Sequence, residues 1–179
     1  MVAIGEACDD GNIAPGDGCN ESCEVEKYEA EGPQKNVEKA LLFGWEECYV
    51  GSYDEAGDSL ESLFGECSKA NLMLACRQVG SSTFALLSHA PREAVFKDTM
   101  KSDIPTIANG SGWYFNDDWS WGFAPLGAPI HLATCDIEAS EPELRLCWHT
   151  GANTLLAGWR CGATGIMSND WERVVLHAD

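Results

Sequence analysis

The chain has 179 residues, 45% of them hydrophobic, and a formal net charge of −18 at pH 7. That length suits one domain, or one domain with a small module. The charge argues against nucleic acid and anionic membrane surfaces, which demand a basic face, and no apolar run approaches the roughly 18–20 residues of a membrane helix.

The start, MVAIGEACDD, has neither a basic n-region nor an apolar h-region, so no signal peptide is expected. Met1 placed directly before a cysteine-rich stretch reads as the start of a piece of a larger parent protein with neighbouring domains. Residues 1–26 show no apolar periodicity; Gly, Asp, Asn and Pro dominate, with Cys8, Cys19 and Cys23. Such a segment cannot bury a core and must be held by bridges or ions. Residues 1–32 hold nine acids and one lysine, against twenty acids and ten bases in the rest.

Asp9, Asp10, Asn12 and Asp17 place four hard oxygen donors within a nine-residue span, and Gly11, Gly16 and Gly18 allow the sharp turns that would aim them inward. Ca2+ takes 6–8 oxygens of this kind, so a structural calcium site on these four residues is one expectation. The spacing is not that of an EF-hand, since Pro15 stands where the sixth-position glycine would be counted from Asp10. The other expectation is that the Asx-Gly pairs only make turns.

The run GEACDDGNIAPGDGCNESC, residues 5–23, resembles the short cysteine-rich repeat of myxobacterial and other secreted or surface proteins, approximately G-E-x-C-D-D-G-N, then G-D-G-C, then C. The resemblance covers residues 4–26 and implies an extracellular setting. The leading C-G-D-G half of the pattern is absent, so one of Cys8, Cys19 and Cys23 is expected to be a free or intermolecular thiol.

Residues 27–38, polar with Gly-Pro in the middle, read as a linker, and residues 39–179 as the folded domain that holds all seven tryptophans. WEECYVGSY predicts a strand and SLESLFGEC a short helix behind Ser59. NLMLACRQV and STFALLSHA predict a hairpin, and PREAVF one helical turn with Pro91 at its first position. GWYFN, SWGFA, PIHLATC, ELRLCWHT, AGWRCG and WERVVLHAD each read as a short strand. The predicted fold is mostly β: a compact antiparallel sandwich or barrel with one or two short helices.

Nine cysteines without a C-x-x-C pair indicate a disulfide framework and an oxidising compartment, secreted or cell-surface. Asn-x-Ser sequons at Asn20 and Asn109 fit that compartment. Cys135 and Cys147 bracket DIEASEPELRL, a polar loop plus a strand, and are expected to pair. Cys48, Cys67, Cys76 and Cys161 then allow three connectivities, of which Cys48–Cys67 with Cys76–Cys161 is chosen.

GSGWYFNDDWSWGFAP, residues 110–125, predicts a hairpin with Asn116–Asp118 as its loop and Asp118 left-handed. Trp113, Phe115, Trp119, Trp121 and Phe123 would then share one face, too large to leave open. The ligand-facing candidates become Tyr114 on the small-residue side and Asn116, Asp117 and Asp118 at the tip. Trp159 and Arg160 in AGWRCG form a second group.

No G-x-S-x-G elbow, H-E-x-x-H, P-loop or G-x-G-x-x-G occurs. His149 shares a face with Cys147 by i, i+2 geometry alone, and no catalytic residue is assigned. The functional expectation is a non-catalytic recognition or adhesion module binding a glycan or a surface protein. The alternatives are a structural assembly module of a larger secreted protein and a secreted hydrolase or its accessory domain.

Overall fold

The computed structural model describes residues 26–136 and 140–179. Its elements run β1 (Gln34–Glu38), β2 (Glu46–Ser52), α1 (Leu60–Glu66), β3 (Asn71–Gln78), β4 (Thr83–Pro91), α2 (Arg92–Val95), β5 (Thr106–Ala108), β6 (Ser111–Phe115), β7 (Ser120–Pro125), β8 (Leu146–Gly151), β9 (Thr154–Cys161), β10 (Thr164–Ile166) and β11 (Trp171–Ala178). The strands form two sheets, ordered β1-β4-β3-β11-β2 and β10-β9-β8-β7-β6-β5, and neighbouring strands are antiparallel throughout. The fold is the mostly β, two-sheet architecture with two short helices that the sequence predicts.

The inner faces of the two sheets share one apolar cluster. Leu72, Leu74 and Val175 of the first sheet meet Trp113, Phe115, Trp121, Phe123 and Trp148 of the second. Trp121 and Trp148 pack edge to face with centroids 5.3 Å apart, a geometry that ring quadrupoles favour.

The outer faces are covered too, which explains why β3, β6 and β7 read as nearly unbroken apolar runs rather than alternating ones. On the first sheet, Met73, Ala75, Phe84, Leu87 and Val174 lie under Val37, Leu42 and Trp45, with Tyr28 packed against them. Residues 34–38, expected in a linker, are the edge strand β1 of that sheet. Val37 is the sole β1 residue turned into the cluster, so the strand's composition is that of a linker.

On the second sheet, Tyr114, Ala124 and Cys147 lie under Ile130, Leu132 and Cys135. PIHLATC, expected as a strand, is a loop with a 3-10 turn over Leu132–Thr134. The loop closes locally: Asp136 N–H donates to the His131 carbonyl at 3.0 Å and His131 N–H donates to Asp136 Oδ1 at 2.5 Å. Cys135 and Asp136 adopt left-handed φ values of 53° and 57°, which end any extended run.

The helices sit where expected. Ser59 caps α1 by accepting from Ser62 N–H at 3.4 Å. Pro91 is the residue before α2 rather than its first residue. Arg92 donates to the Phe64 and Cys67 carbonyls at 2.8 and 3.1 Å, satisfying the otherwise orphaned end of α1.

Three disulfides fasten these layers. Cys48–Cys67 ties β2 to the end of α1, Cys76–Cys161 joins the two sheets through β3 and β9, and Cys135–Cys147 fixes the crossing loop to β8. They are the three pairs chosen from the sequence. Bridges of this number belong to an oxidising environment. Among the described residues, no helix is long and apolar enough to cross a membrane.

Candidate functional site

The aromatic hairpin sets the site. Phe115 pairs with Trp121, Trp113 with Phe123 and Tyr114 with Gly122, and Asn116 N–H donates to the Ser120 carbonyl at 2.9 Å. The loop is therefore Asp117–Trp119, one residue later than expected, and Asp118 has no left-handed φ. Trp113, Phe115, Trp121 and Phe123 stay on the buried face as predicted. Trp119 does not join them; it leaves the ladder and packs beside the cluster on the outer face.

A single cross-strand row runs over that outer face: Tyr114, Gly122, Cys147, Arg160, Gly165, one residue from each of β6 to β10. Gly122 matters here for close approach. A methyl group on it would stand 2.8 Å from the Tyr114 hydroxyl and closer still to the Leu146 carbonyl. Through that gap Tyr114 reaches across β7, and its hydroxyl donates to Asp136 Oδ2 at 3.0 Å. Arg145 Nη1 donates to the same oxygen at 2.9 Å. Tyr114, Asp136 and Arg145 are all fully buried. Burial, then the adjacent Asp136 charge, pushes the Tyr114 phenol far above its usual range, so it stays protonated and donating.

Tyr114 is thus a fastener and not a ligand-facing ring, a correction to the expected role. Asn116 is corrected likewise. It is 4% exposed, its Nδ2 donates to Asp98 Oδ1 at 3.1 Å, and its Oδ1 accepts from Asp118 N–H at 3.2 Å. Arg160 is 6% exposed and lies under the surface rather than on it. Burial lowers its pKa, with Tyr114 and Asp136 acting in the opposite direction.

Asp117 and Asp118 are exposed at the tip. Lys101 bonds Asp118 Oδ2 at 2.7 Å and stands 5.1 Å from the Trp119 ring centroid. That ammonium holds the Asp118 carboxyl below the usual carboxylate range. Trp159 is half-buried, and its ring centroid is 6.0 Å from that of His149. His149 in turn sits against the Trp119 backbone; burial lowers its pKa and that contact partly restores it. The tip and the Trp159 group, separate in sequence, are joined through His149. Cys147 is bridged to Cys135 and offers His149 no thiolate.

Sequence reasoning missed Asp136, Arg145 and Lys101. Asp136 opens a polar string that composition assigns to an exposed loop, and Arg145 falls in ELRLCWHT, which reads as a strand without showing which face or partner its charge would have. The proposed calcium ligands Asp9, Asp10, Asn12 and Asp17, the thiols Cys8, Cys19 and Cys23, and the sequon at Asn20 lie outside the described residues. Among the described residues no group of three His, Cys, Asp or Glu side chains is placed to hold a metal. No protein-family model, curated protein or solved structure matches the chain.

Proposed function

We propose that the chain is a secreted or cell-surface recognition module, non-catalytic, that binds a glycan through the outer face of its six-stranded sheet. The observation that carries this reading is the grouping of Trp119, His149 and Trp159 on the outer-face side of the second sheet. The Trp159 indole stands beside the His149 imidazole, the imidazole sits against the Trp119 backbone, and half-buried Trp119 lies in the adjoining hairpin loop with Asp117, Asp118 and Lys101 around it. Indole faces suit the apolar faces of sugar rings, while the rim carboxylates and ammonium suit hydroxyls. His149 and Trp159 stand on the disulfide-bridged strands β8 and β9, which favours preorganisation of that part of the site. The test is tryptophan fluorescence and array binding across a glycan panel, with Trp119→Ala as the variant.

A second reading, an assembly module that binds a surface protein or a neighbouring domain, draws on a different feature. Met100, Ile104 and Ile107 are 80%, 75% and 55% exposed, beside a groove of about 430 Å³ between α2 and β5. Oligomerisation lost on Ile104→Ser would favour it. Structural calcium on Asp9, Asp10, Asn12 and Asp17 remains part of the proposal; added calcium should raise the melting temperature, and Asp10→Ala should abolish the rise.

A further inference from the structure

Four of the seven tryptophans spend their indole N–H inside the fold. Trp45 donates to the Tyr28 carbonyl, Trp113 to the Ala108 carbonyl, Trp121 to the Val95 carbonyl and Trp148 to the Tyr53 hydroxyl, at 2.9, 3.1, 3.1 and 3.0 Å. Trp171 does not. It is half-buried, and its Nε1 is open to solvent without a partner among the described residues. Trp171 pairs with Gln78 across β11 and β3, so the two side chains share a face, and Trp171 packs against the inner cluster. They are the last inward-facing pair at that end of the first sheet.

The backbone around this pair is tied down. Val79 N–H donates to the Asp170 carbonyl at 2.9 Å, and the Ser168 hydroxyl donates to Asp170 Oδ2 at 3.0 Å. A hollow of about 600 Å³ lies here, lined by Gln78, Val79, Asn169, Asp170 and Trp171. The Gln78 and Asn169 amides are exposed, and neither has a partner among the described residues. The other two hollows differ. Tyr49 lines one of about 310 Å³, but its hydroxyl is spent on Asp58 Oδ2 at 2.6 Å. The groove between α2 and β5 has no aromatic side chain in its lining.

We infer that Trp171, Gln78, Asn169 and Asp170 form a saccharide site for a neutral pyranose, separate from the Trp119 group on the second sheet. An indole anchored in the core offers a fixed apolar surface to the C–H face of a sugar ring, and its N–H remains free to donate. Each amide both donates and accepts, as sugar hydroxyls do, and the Asp170 carboxylate accepts. A concave site with one aromatic ring and a few convergent polar groups is the usual form of a small-ligand site, and its volume falls in the usual range of about 300–1,000 Å³. Asp170 is the one charged group in the lining, and the chain's net charge is −18, so acidic sugars are disfavoured. The site shares no residue with the Trp119 group, and neither depends on the other.

The experiment is titration of the whole chain, followed through its assigned indole N–H signals in proton–nitrogen correlation spectra. The probes are glucose, galactose, mannose and N-acetylglucosamine, with glucuronate as the acidic control. At least one neutral sugar should shift the Trp171 signal to saturation, while glucuronate leaves it in place. Gln78→Ala and Asn169→Ala remove exposed side chains, leave the fold intact and should each weaken that binding roughly three- to tenfold. A Trp171 signal that no neutral sugar moves would overturn the inference. So would full affinity in both amide variants, or glucuronate binding as tightly as the neutral sugars. The Trp119 signal in the same spectra reports the other site. Movement of Trp119 alone overturns this inference and leaves the proposed function standing; movement of Trp171 alone does the reverse.

Discussion

The hydroxyl of Tyr114 donates to Asp136 across 3.0 Å, with both residues fully buried and twenty-two positions apart in the chain. This bond fastens the crossing loop of residues 130–136 to the outer face of the second sheet. It also unites a residue whose sequence neighbours suggest a binding surface with one whose neighbours suggest a solvated loop.

Removing the two ends of that bond should have unequal effects. Tyr114→Phe leaves Asp136 still bonded to Arg145 and should cost about 1–3 kcal/mol. Asp136→Ala leaves Arg145 and Arg160 without their carboxylate and should cost roughly 3–5 kcal/mol. Denaturant midpoints of the two variants check the order; a larger loss for Tyr114→Phe would contradict it.

The aromatic hairpin divides its rings between support and surface. Trp121 is fully buried, and its Nε1 donates to the Val95 carbonyl at 3.1 Å. Trp121→Ala should cost about 3–5 kcal/mol. Trp119→Ala, outside the ladder and half-buried, should cost less than about 1.5 kcal/mol. Calorimetry of both variants distinguishes this division from one in which all the rings are core.

The alternation of residues 113–123 carries enough information to place four rings on the inner face, because a two-residue shift of register keeps every side chain on its side. It does not place Trp119, whose position depends on which three residues form the loop. β1 is invisible for another reason: its single inward residue, Val37, leaves no alternation to read. The loop of residues 130–136 reads as a strand because Ile130 and Leu132 are apolar at alternate positions. What defeats that reading is the Asp136 side chain, which bonds the His131 backbone from five residues away. Pairings such as Asp136 with Arg145 have no local signature at all, since only the folded sheet brings them to one face.

Stability should fall in mild acid through His89. This residue is 4% exposed and accepts at Nε2 from Ala30 N–H at 3.1 Å, holding residues 28–32 against the first sheet. Tyr28, Trp45 and Asn109 surround the ring, Glu29 lies 3.7 Å away, and Lys27 is nearby. Burial holds its pKa below the ordinary value of about 6.5, Glu29 opposes that, and Lys27 reinforces it. The unfolded chain therefore takes up the proton first. The stability from neutral His89 is complete above the ordinary value and lost as pH falls through it toward the depressed folded one. His149 shifts in the same direction, so His89→Gln should reduce the slope of unfolding free energy between about pH 7 and 5 without flattening it.

The Asn109 sequon should remain unmodified when the chain passes through a eukaryotic secretory pathway. Its Nδ2 donates to the Ala30 and His89 carbonyls at 2.8 and 3.0 Å, and Ser111 is fully buried with its hydroxyl against that of Ser88. Intact-mass and peptide mass spectrometry check this, and a glycan on Asn109 would show that residues 28–32 detach from the first sheet.

Glycan recognition is tested most directly by binding followed through tryptophan fluorescence in the wild type, Trp119→Ala and Trp159→Phe. A glycan site at Trp119 predicts at least one glycan class that shifts the wild-type emission, a tenfold or greater loss of affinity in Trp119→Ala, and a smaller loss in Trp159→Phe, with all three proteins equally folded. Binding that survives Trp119→Ala unchanged, or a panel that leaves the emission of the folded wild type unmoved throughout, would contradict it.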